Sequence, residues 1–394
     1  MKKYSFIFFL VMFLIGTDTF LVSPLLPTLS ELYGISSSIS GWMVSAYALG
    51  YALFALISGP FSDGRDRKKV MIFGFIGFAS STFLCGFATS FELMILFRFL
   101  AGVSASFVTP QVWASIPVIS PKEKIVKMIG MASAGLAISQ LIGVPIGSYL
   151  AVISWRAPFF AISGASLIMI LIVSTILPSL NIQSQIAQNS SIIKIYRGLL
   201  KNSLAIKYLV AYLVFQTGNF CMMTFIGSWL TRDFHLGVSG VGTAMIAIGA
   251  GNLIGTLFGN KLIARWGIPK SLLIGILSLC ILYFIAPFSS SLIMAEVVLT
   301  LAFVVNGFIF PIFMTTLQST TTTARSTISS LSNAAMYTGT TIGGIVGGIL
   351  FTRFSGFFGI AFFTIATYLV VLLIYKAGGI FDSKKQETSK GSVN

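Results

Sequence analysis

Two charged residues stand where charge is costly: Asp18, in the apolar run FLIGTDTFLVSPLLP, and Arg98, in MILFRFLAGVSAS. A carboxylate deep in an apolar segment must be protonated, paired or turned to a wet cavity. Asp18 is thus either a proton-exchanging site or a carboxyl that stays neutral and hydrogen-bonds between helices. Arg98 cannot lose its proton. It is a fixed counter-charge for Asp18 or for an anionic substrate group, or a structural arginine that snorkels to the nearby surface. Glu92 and Glu296 sit near the ends of apolar runs, where interfacial placement explains them. His235, in TRDFHLG, has no partner His or Cys nearby. The three cysteines (Cys85, Cys221, Cys280) lie singly in apolar runs, so neither a metal site nor a disulfide framework is indicated.

The elements that must position these charges are membrane helices. The chain has 394 residues, 56% of them hydrophobic and 9% charged, with a mean hydropathy of +0.94, far from the composition of water-soluble domains. About twenty apolar residues at about 1.5 Å each cross the hydrocarbon core. That ruler gives twelve spans, from 4–28 to 354–375, and an all-α membrane protein, because backbone groups in lipid must be satisfied internally. MKKYSFIFFLVMFLIG starts like a signal peptide but continues past Asp18 without a small-residue cleavage pattern, and is read as a retained first helix.

An even number of spans puts both termini on one side. Of the 25 lysines and arginines, 21 fall in the regions on that side, which predicts cytoplasmic termini and a cytoplasmic membrane location. The net charge of +15 then reflects topology and attraction to anionic lipid, and nucleic acid is not needed as a partner. The one long connection divides the chain into a six-helix bundle over 1–177, a linker over 178–207, a second bundle over 208–376 and a tail over 377–394 expected to be disordered. In the linker, Ile192, Ile195 and Leu199 share one helical face, with Lys194, Arg197 and Lys201 on another, as in a helix lying along a membrane surface. The halves echo each other at an offset of about 200. Gly59 and Arg65 correspond to Gly259 and Arg265, and Gly143 and Gly147 to Gly343 and Gly347. Two similar bundles facing a central site are expected.

A knot of charge, GPFSDGRDRKK, joins the second and third spans. At minimum it fixes topology. It also resembles the signature loop of the major facilitator superfamily, approximately G-x-x-x-D-R-x-G-R-K. Gly59, Asp63, Arg67 and Lys68 match; Gly64 stands where a basic residue is usual and Asp66 where glycine is usual. FRFLAGVSAS resembles the family's helix-4 arginine motif. GLAISQLIGVPIGSYL resembles the helix-5 motif of the drug/proton antiporter branch through Gly135, Gly143, Pro145 and Gly147. With SWRAPFF, it is most similar to efflux members grouped with arabinose, purine and chloramphenicol exporters. The resemblance implies the major facilitator fold, two pseudo-symmetric six-helix bundles, with a cytoplasmic latch at the charged loop and proton coupling at Asp18 and Arg98. In the fifth span, small residues allow close packing and the proline bends the helix and frees a carbonyl.

Polar and aromatic residues on spans expected to line the centre are Gln111, Trp113, Gln140, Asn219, Asn252, Asn306, Asn333 and Tyr337, with Phe220 and Met222 as further walls. The second half lacks central charges, so the first six helices are expected to carry ion coupling and the second six to shape the substrate cavity. The expected function is proton-coupled export of small, partly hydrophobic molecules by a monomer without cofactors, either as multidrug or chloramphenicol-type efflux. An exporter of a nucleobase, nucleoside or sugar is the alternative. A lipid-linked flippase or a non-transporting receptor on this scaffold is a further one. No GxxxxGK[ST] motif points to ATP as the energy source. No nucleophile with its base points to an enzyme.

Overall fold

Among the described residues, apolar runs interrupted by short polar turns fold into twelve helices long and apolar enough to cross a membrane. The computed structural model describes residues 2–62, 65–121, 124–180, 202–320 and 325–381. Asp63, the linker segment carrying Ile192, Ile195 and Leu199, and the tail from 382 lie outside the described residues. The first six helices are α1 (Lys2–Tyr33), α2 (Trp42–Ser62, preceded by a turn at Ser37–Ser40), α3 (Arg67–Cys85), α4 (Phe91–Ile119), α5 and α6 (Ala157–Ile176). α5 is composite, with α-helix over Ile125–Ile138 and Val144–Ile153 joined by a π turn at Ser139–Gly143. The second six are α7 (Ser203–Phe234), α8 (Val238–Trp266), α9 (Ile268–Ile285), α10 (Leu292–Ser319), α11 (Arg325–Arg353) and α12 (Phe358–Ala377).

The two sets pack alike. α1 lies on α5, α2 and α3 on α4, and α3 on α6; equivalently α7 lies on α11, α8 and α9 on α10, and α9 on α12. Between the sets, α1 meets α7, α2 meets α11 and α5 meets α8, as a two-fold relation between bundles requires. The glycine echo has a structural counterpart. A Cβ on Gly143 would lie 2.1 Å from Thr17 Oγ1, and one on Gly343 would lie 2.5 Å from the Thr217 carbonyl. In each bundle, therefore, the absence of a side chain admits the partner helix. Large apolar side chains such as Leu171, Ile281 and Leu373 stand on the outside, where lipid is the solvent.

Among the described residues, several hydrogen bonds join the bundles away from the face that carries the chain ends. Ser23 Oγ donates to the carbonyls of Met223 (2.6 Å) and Thr224 (2.9 Å). Ser45 Oγ donates to the Thr341 carbonyl at 2.9 Å, and Tyr149 and Thr243 hydroxyls meet at 2.8 Å. At the chain-end face, hydrogen bonds within one bundle include Lys68 Nζ to the Ser174 carbonyl (2.7 Å) and Lys207 Nζ to the Ala377 carbonyl (3.0 Å). The Ser23, Ser45 and Tyr149–Thr243 bonds join the two bundles on the side away from the chain ends.

Candidate functional site

Helix packing brings Asp18 and Arg98 together. α2 and α4 touch backbone to backbone, since a Cβ on Gly102 would fall 1.9 Å from the Tyr47 carbonyl oxygen. That approach sets Arg98 between α1 and α2. Its Nη1 donates to Asp18 Oδ2 at 2.8 Å, Nη2 to the Asp18 carbonyl at 3.4 Å and Nε to the Met43 carbonyl at 3.4 Å. The guanidinium lies 4.5 Å from the centre of the Tyr47 ring, a cation–π contact. Asp18 and Arg98 are both 0% exposed. The snorkelling reading of Arg98 is therefore overturned, because its donors are used by α1 and α2 rather than by water. Asp18 Oδ1 is buried without a hydrogen-bond partner, leaving one carboxylate oxygen able to take a proton. A buried pair of this kind is held by geometry: removing one partner strands a charge at a cost of about 3–5 kcal/mol.

The pair is connected to the second bundle through aromatic rings. Tyr337 of α11 lies 6.5 Å from the Tyr47 ring and stacks on Tyr51 at 3.7 Å. Tyr47 and Tyr51 were not expected from sequence. Their i, i+4 spacing in YALGYALF on a span that faces the other bundle is the signal that could have found them.

A second cluster lies near the middle of the other helices and carries no charge. Asn252 Nδ2 (α8) donates to Gln140 Oε1 (α5) across the bundle boundary at 2.8 Å. Asn306 (α10) donates to Asn219 Oδ1 (α7), Asn219 Nδ2 to Gln216 Oε1 at 3.2 Å and Gln216 Nε2 to the Tyr212 hydroxyl at 2.8 Å. Gln216 and Tyr212 extend the expected set; they share a face of α7 with Asn219 at helical spacing. Gln111, Trp113 and Asn333 make no hydrogen bond with this cluster. Gln111 is 1% exposed and its Oε1 has no partner.

The fifth-span motif takes a specific form. Pro145 has no N–H to donate to the Leu141 carbonyl, and its ring would crowd that oxygen. The helix widens to a π turn in which the Val144 N–H reaches back to the Ser139 carbonyl. Gly135, Gly143 and Gly147 all face α1, where a Cβ would meet the Phe9 carbonyl, Thr17 and Leu21.

In the charged loop, Gly59 and Arg67 belong to the ends of α2 and α3. Asp66 is the N-cap of α3, accepting from the Lys68 N–H at 3.0 Å. It also accepts from Ser179 Oγ (2.7 Å) and the Leu180 N–H (2.8 Å), just beyond α6. Burial would raise its proton affinity, but these three hydrogen bonds and the nearby Lys69 charge outweigh it and hold the carboxyl below its ordinary value. An Asp directly before RKKV is an N-cap signal in its own right.

Comparisons with known proteins agree with this geometry. The sequence profile of the Major Facilitator Superfamily matches residues 8–324 and 208–392. The uncharacterized MFS-type transporter YceJ of Bacillus subtilis (strain 168) is 48% identical over 387 residues, 98% of this chain and 99% of that protein. Multidrug resistance protein 1 of the same organism is 30% identical over 240 residues, 60% of each chain. Among solved structures, a D-xylose-proton symporter superposes with a TM-score of 0.78 at 13% identity, covering 94% of this chain and 96% of that one; that likeness concerns the fold. Profile, relative and architecture coincide over the whole length: the chain is a multi-pass membrane transporter belonging to the major facilitator superfamily.

Proposed function

We propose that the chain is a proton-coupled exporter of small, partly hydrophobic molecules, working by alternating access in the cytoplasmic membrane with both termini in the cytoplasm. The observation that carries this reading is the buried Asp18–Arg98 pair, with one carboxylate oxygen that lacks a hydrogen-bond partner and the Tyr47 ring in contact with Arg98 and near Tyr337 of the other bundle. A proton taken up at Oδ1 neutralises Asp18 and removes its attraction for Arg98. The guanidinium keeps the Asp18 and Met43 carbonyls and the Tyr47 ring, so the hold between α1 and α4 loosens to a backbone contact while α2 stays engaged. Tyr47 then shifts against Tyr337, and the boundary between bundles moves. Each inward charge supplies about 2.3 kcal/mol per 100 mV.

Gly59, Asp63, Arg67 and Lys68 act as the latch that closes the cytoplasmic face, and Gly135, Gly143, Pro145 and Gly147 seal α5 against leak. The export direction is supported by the GVPIG resemblance and by the relative named Multidrug resistance protein 1. Export of a nucleobase, nucleoside or sugar is the second reading, favoured by the uncharged amide cluster. A monomer suffices, since two bundles frame one path.

The test uses everted membrane vesicles with an acidic interior and a pH-sensitive dye. Adding chloramphenicol should dissipate the gradient with wild type and leave it intact with Asp18→Asn. Chloramphenicol uptake by wild type without any loss of the gradient would reject proton coupling.

A further inference from the structure

We propose that the crevice between α1, α5 and α6 is a site for a phospholipid acyl chain, taken from the leaflet away from the chain ends. The inference needs only the membrane-spanning fold and does not depend on the exporter reading. Residues of these three helices enclose a cavity of about 140 Å³. An apolar cavity of about 150 Å³ stays dry and takes up benzene, so about six carbon atoms fit here.

The space arises from what the sequence leaves out. Gly143 and Gly147 bring α5 close to α1, against Thr17 and Leu21. On the other side α6 contributes Pro158, Ala161 and Ala165, with Ile162 as its one larger side chain in the lining. Short side chains do not reach across, and a gap remains beside the α1–α5 contact. Its one side-chain hydroxyl, that of Thr17, is already used, donating to the Phe13 carbonyl at 2.7 Å. A polar ligand would lose its hydration and find no free donor, whereas hydrocarbon loses nothing.

The rim and the shape identify the occupant. Ile146 and Ala161 line the cavity and are exposed, so it is open. On the same two helices Ile153, Leu167 and Ile168 are exposed as well, and at membrane depth such a surface meets acyl chains rather than water. The lining runs from Gly143 to Leu150 along α5 and from Ala165 to Pro158 along α6, about 10 Å of each helix at about 1.5 Å per residue. Pro158 lies at the start of α6, whose other end is tied to Asp66 and Lys68 at the chain-end face. The groove therefore extends from mid-membrane towards the far face, parallel to the helices, as an acyl chain does. Its floor includes Leu14 and Thr17 of α1, so an occupant braces the α1–α5 joint one residue from Asp18.

The test is photolabelling of the full-length protein, one copy per nanodisc, with phosphatidylglycerol carrying a diazirine in the middle of an acyl chain. Adducts are mapped by mass spectrometry. In wild type, the segments Gly143–Leu150 and Pro158–Ala165 should be labelled about tenfold more than the lipid-facing α9 segment around Ile281, a preference of about 1.4 kcal/mol. Ala165→Leu fills the cavity from α6 and should bring both segments down to the α9 level while α9 labelling stays constant. Ala161→Leu, at the exposed rim, should do the same and serves if Ala165→Leu does not fold. Equal labelling of all three segments in wild type would overturn the inference, leaving ordinary boundary lipid or an occupant other than lipid. An excess that persists in the filled variants would overturn it too, because the label would then report a surface outside the cavity.

Discussion

The two bundles share a packing plan and differ in what they bury at its centre. The first buries a full ion pair, Asp18 and Arg98; the second buries a string of amides around Asn219 and Asn306. An ion pair has two states of very different energy, separated by one proton, and so suits switching. An amide string keeps its charge at every pH and offers direction without net charge, and so suits recognition. On the proposed function the fold would separate coupling from selectivity, since among the described residues the buried carboxylate–guanidinium pair belongs to the first bundle.

The sharpest way to break this comparison is to unbalance the ion pair. Arg98→Gln should strand Asp18 and destabilise the protein by about 3–5 kcal/mol, read as a lowered unfolding temperature in detergent. Adding Asp18→Asn should recover most of that stability without restoring gradient-driven transport. Recovery of both would make the pair purely structural. Cutting the amide string should cost less. Asn219→Leu leaves Gln216 and Asn306 each short of a partner, about 1–3 kcal/mol, with no change in the pH dependence of transport.

A third test compares the matched glycines. Gly143→Ala and Gly343→Ala should each cost about 1–3 kcal/mol by overpacking, with Gly343→Ala the worse. The new methyl at 343 meets a carbonyl in the backbone of α7, whereas at 143 it meets the Thr17 side chain, which can rotate. Equal unfolding temperatures would show that the two contacts are not limited by these atoms. The smallest effect belongs to the chain-end face. Asp66→Ala should remove about 1 kcal/mol of capping. Because the folded-state proton affinity of Asp66 is depressed, its contribution is complete above the ordinary carboxylate range and fades as pH falls through the folded-state value. The wild-type advantage over Asp66→Ala in unfolding temperature should accordingly be constant near neutrality and shrink in acid.

Much of this architecture is legible in hydropathy, since lipid forces each apolar run into a helix whatever its detailed sequence. Helix ends are less so: the first span reads as 4–28, yet α1 runs Lys2–Tyr33. Backbone hydrogen bonds continue past the hydrocarbon boundary, and Pro24 and Pro27 are tolerated within the helix. Asp18 and Arg98 announce themselves because charge in lipid is rare. Tyr47, Tyr51 and Gln216 do not, because tyrosines and amides in spans have many possible uses and only packing selects one. The Gln140–Asn252 bond joins bundles through a geometry that periodicity cannot express. Asp66 carried a readable cap signal, but its bonds to Ser179 and Leu180 depend on where α6 ends in space.

The central claim is that Asp18 exchanges the coupled proton. Its most direct test is proton release from detergent-purified protein on adding chloramphenicol, compared between wild type and Asp18→Asn in weakly buffered solution. Release by wild type that disappears in Asp18→Asn is the predicted result. Equal release by both proteins would contradict the claim and reduce Asp18 to a structural partner of Arg98.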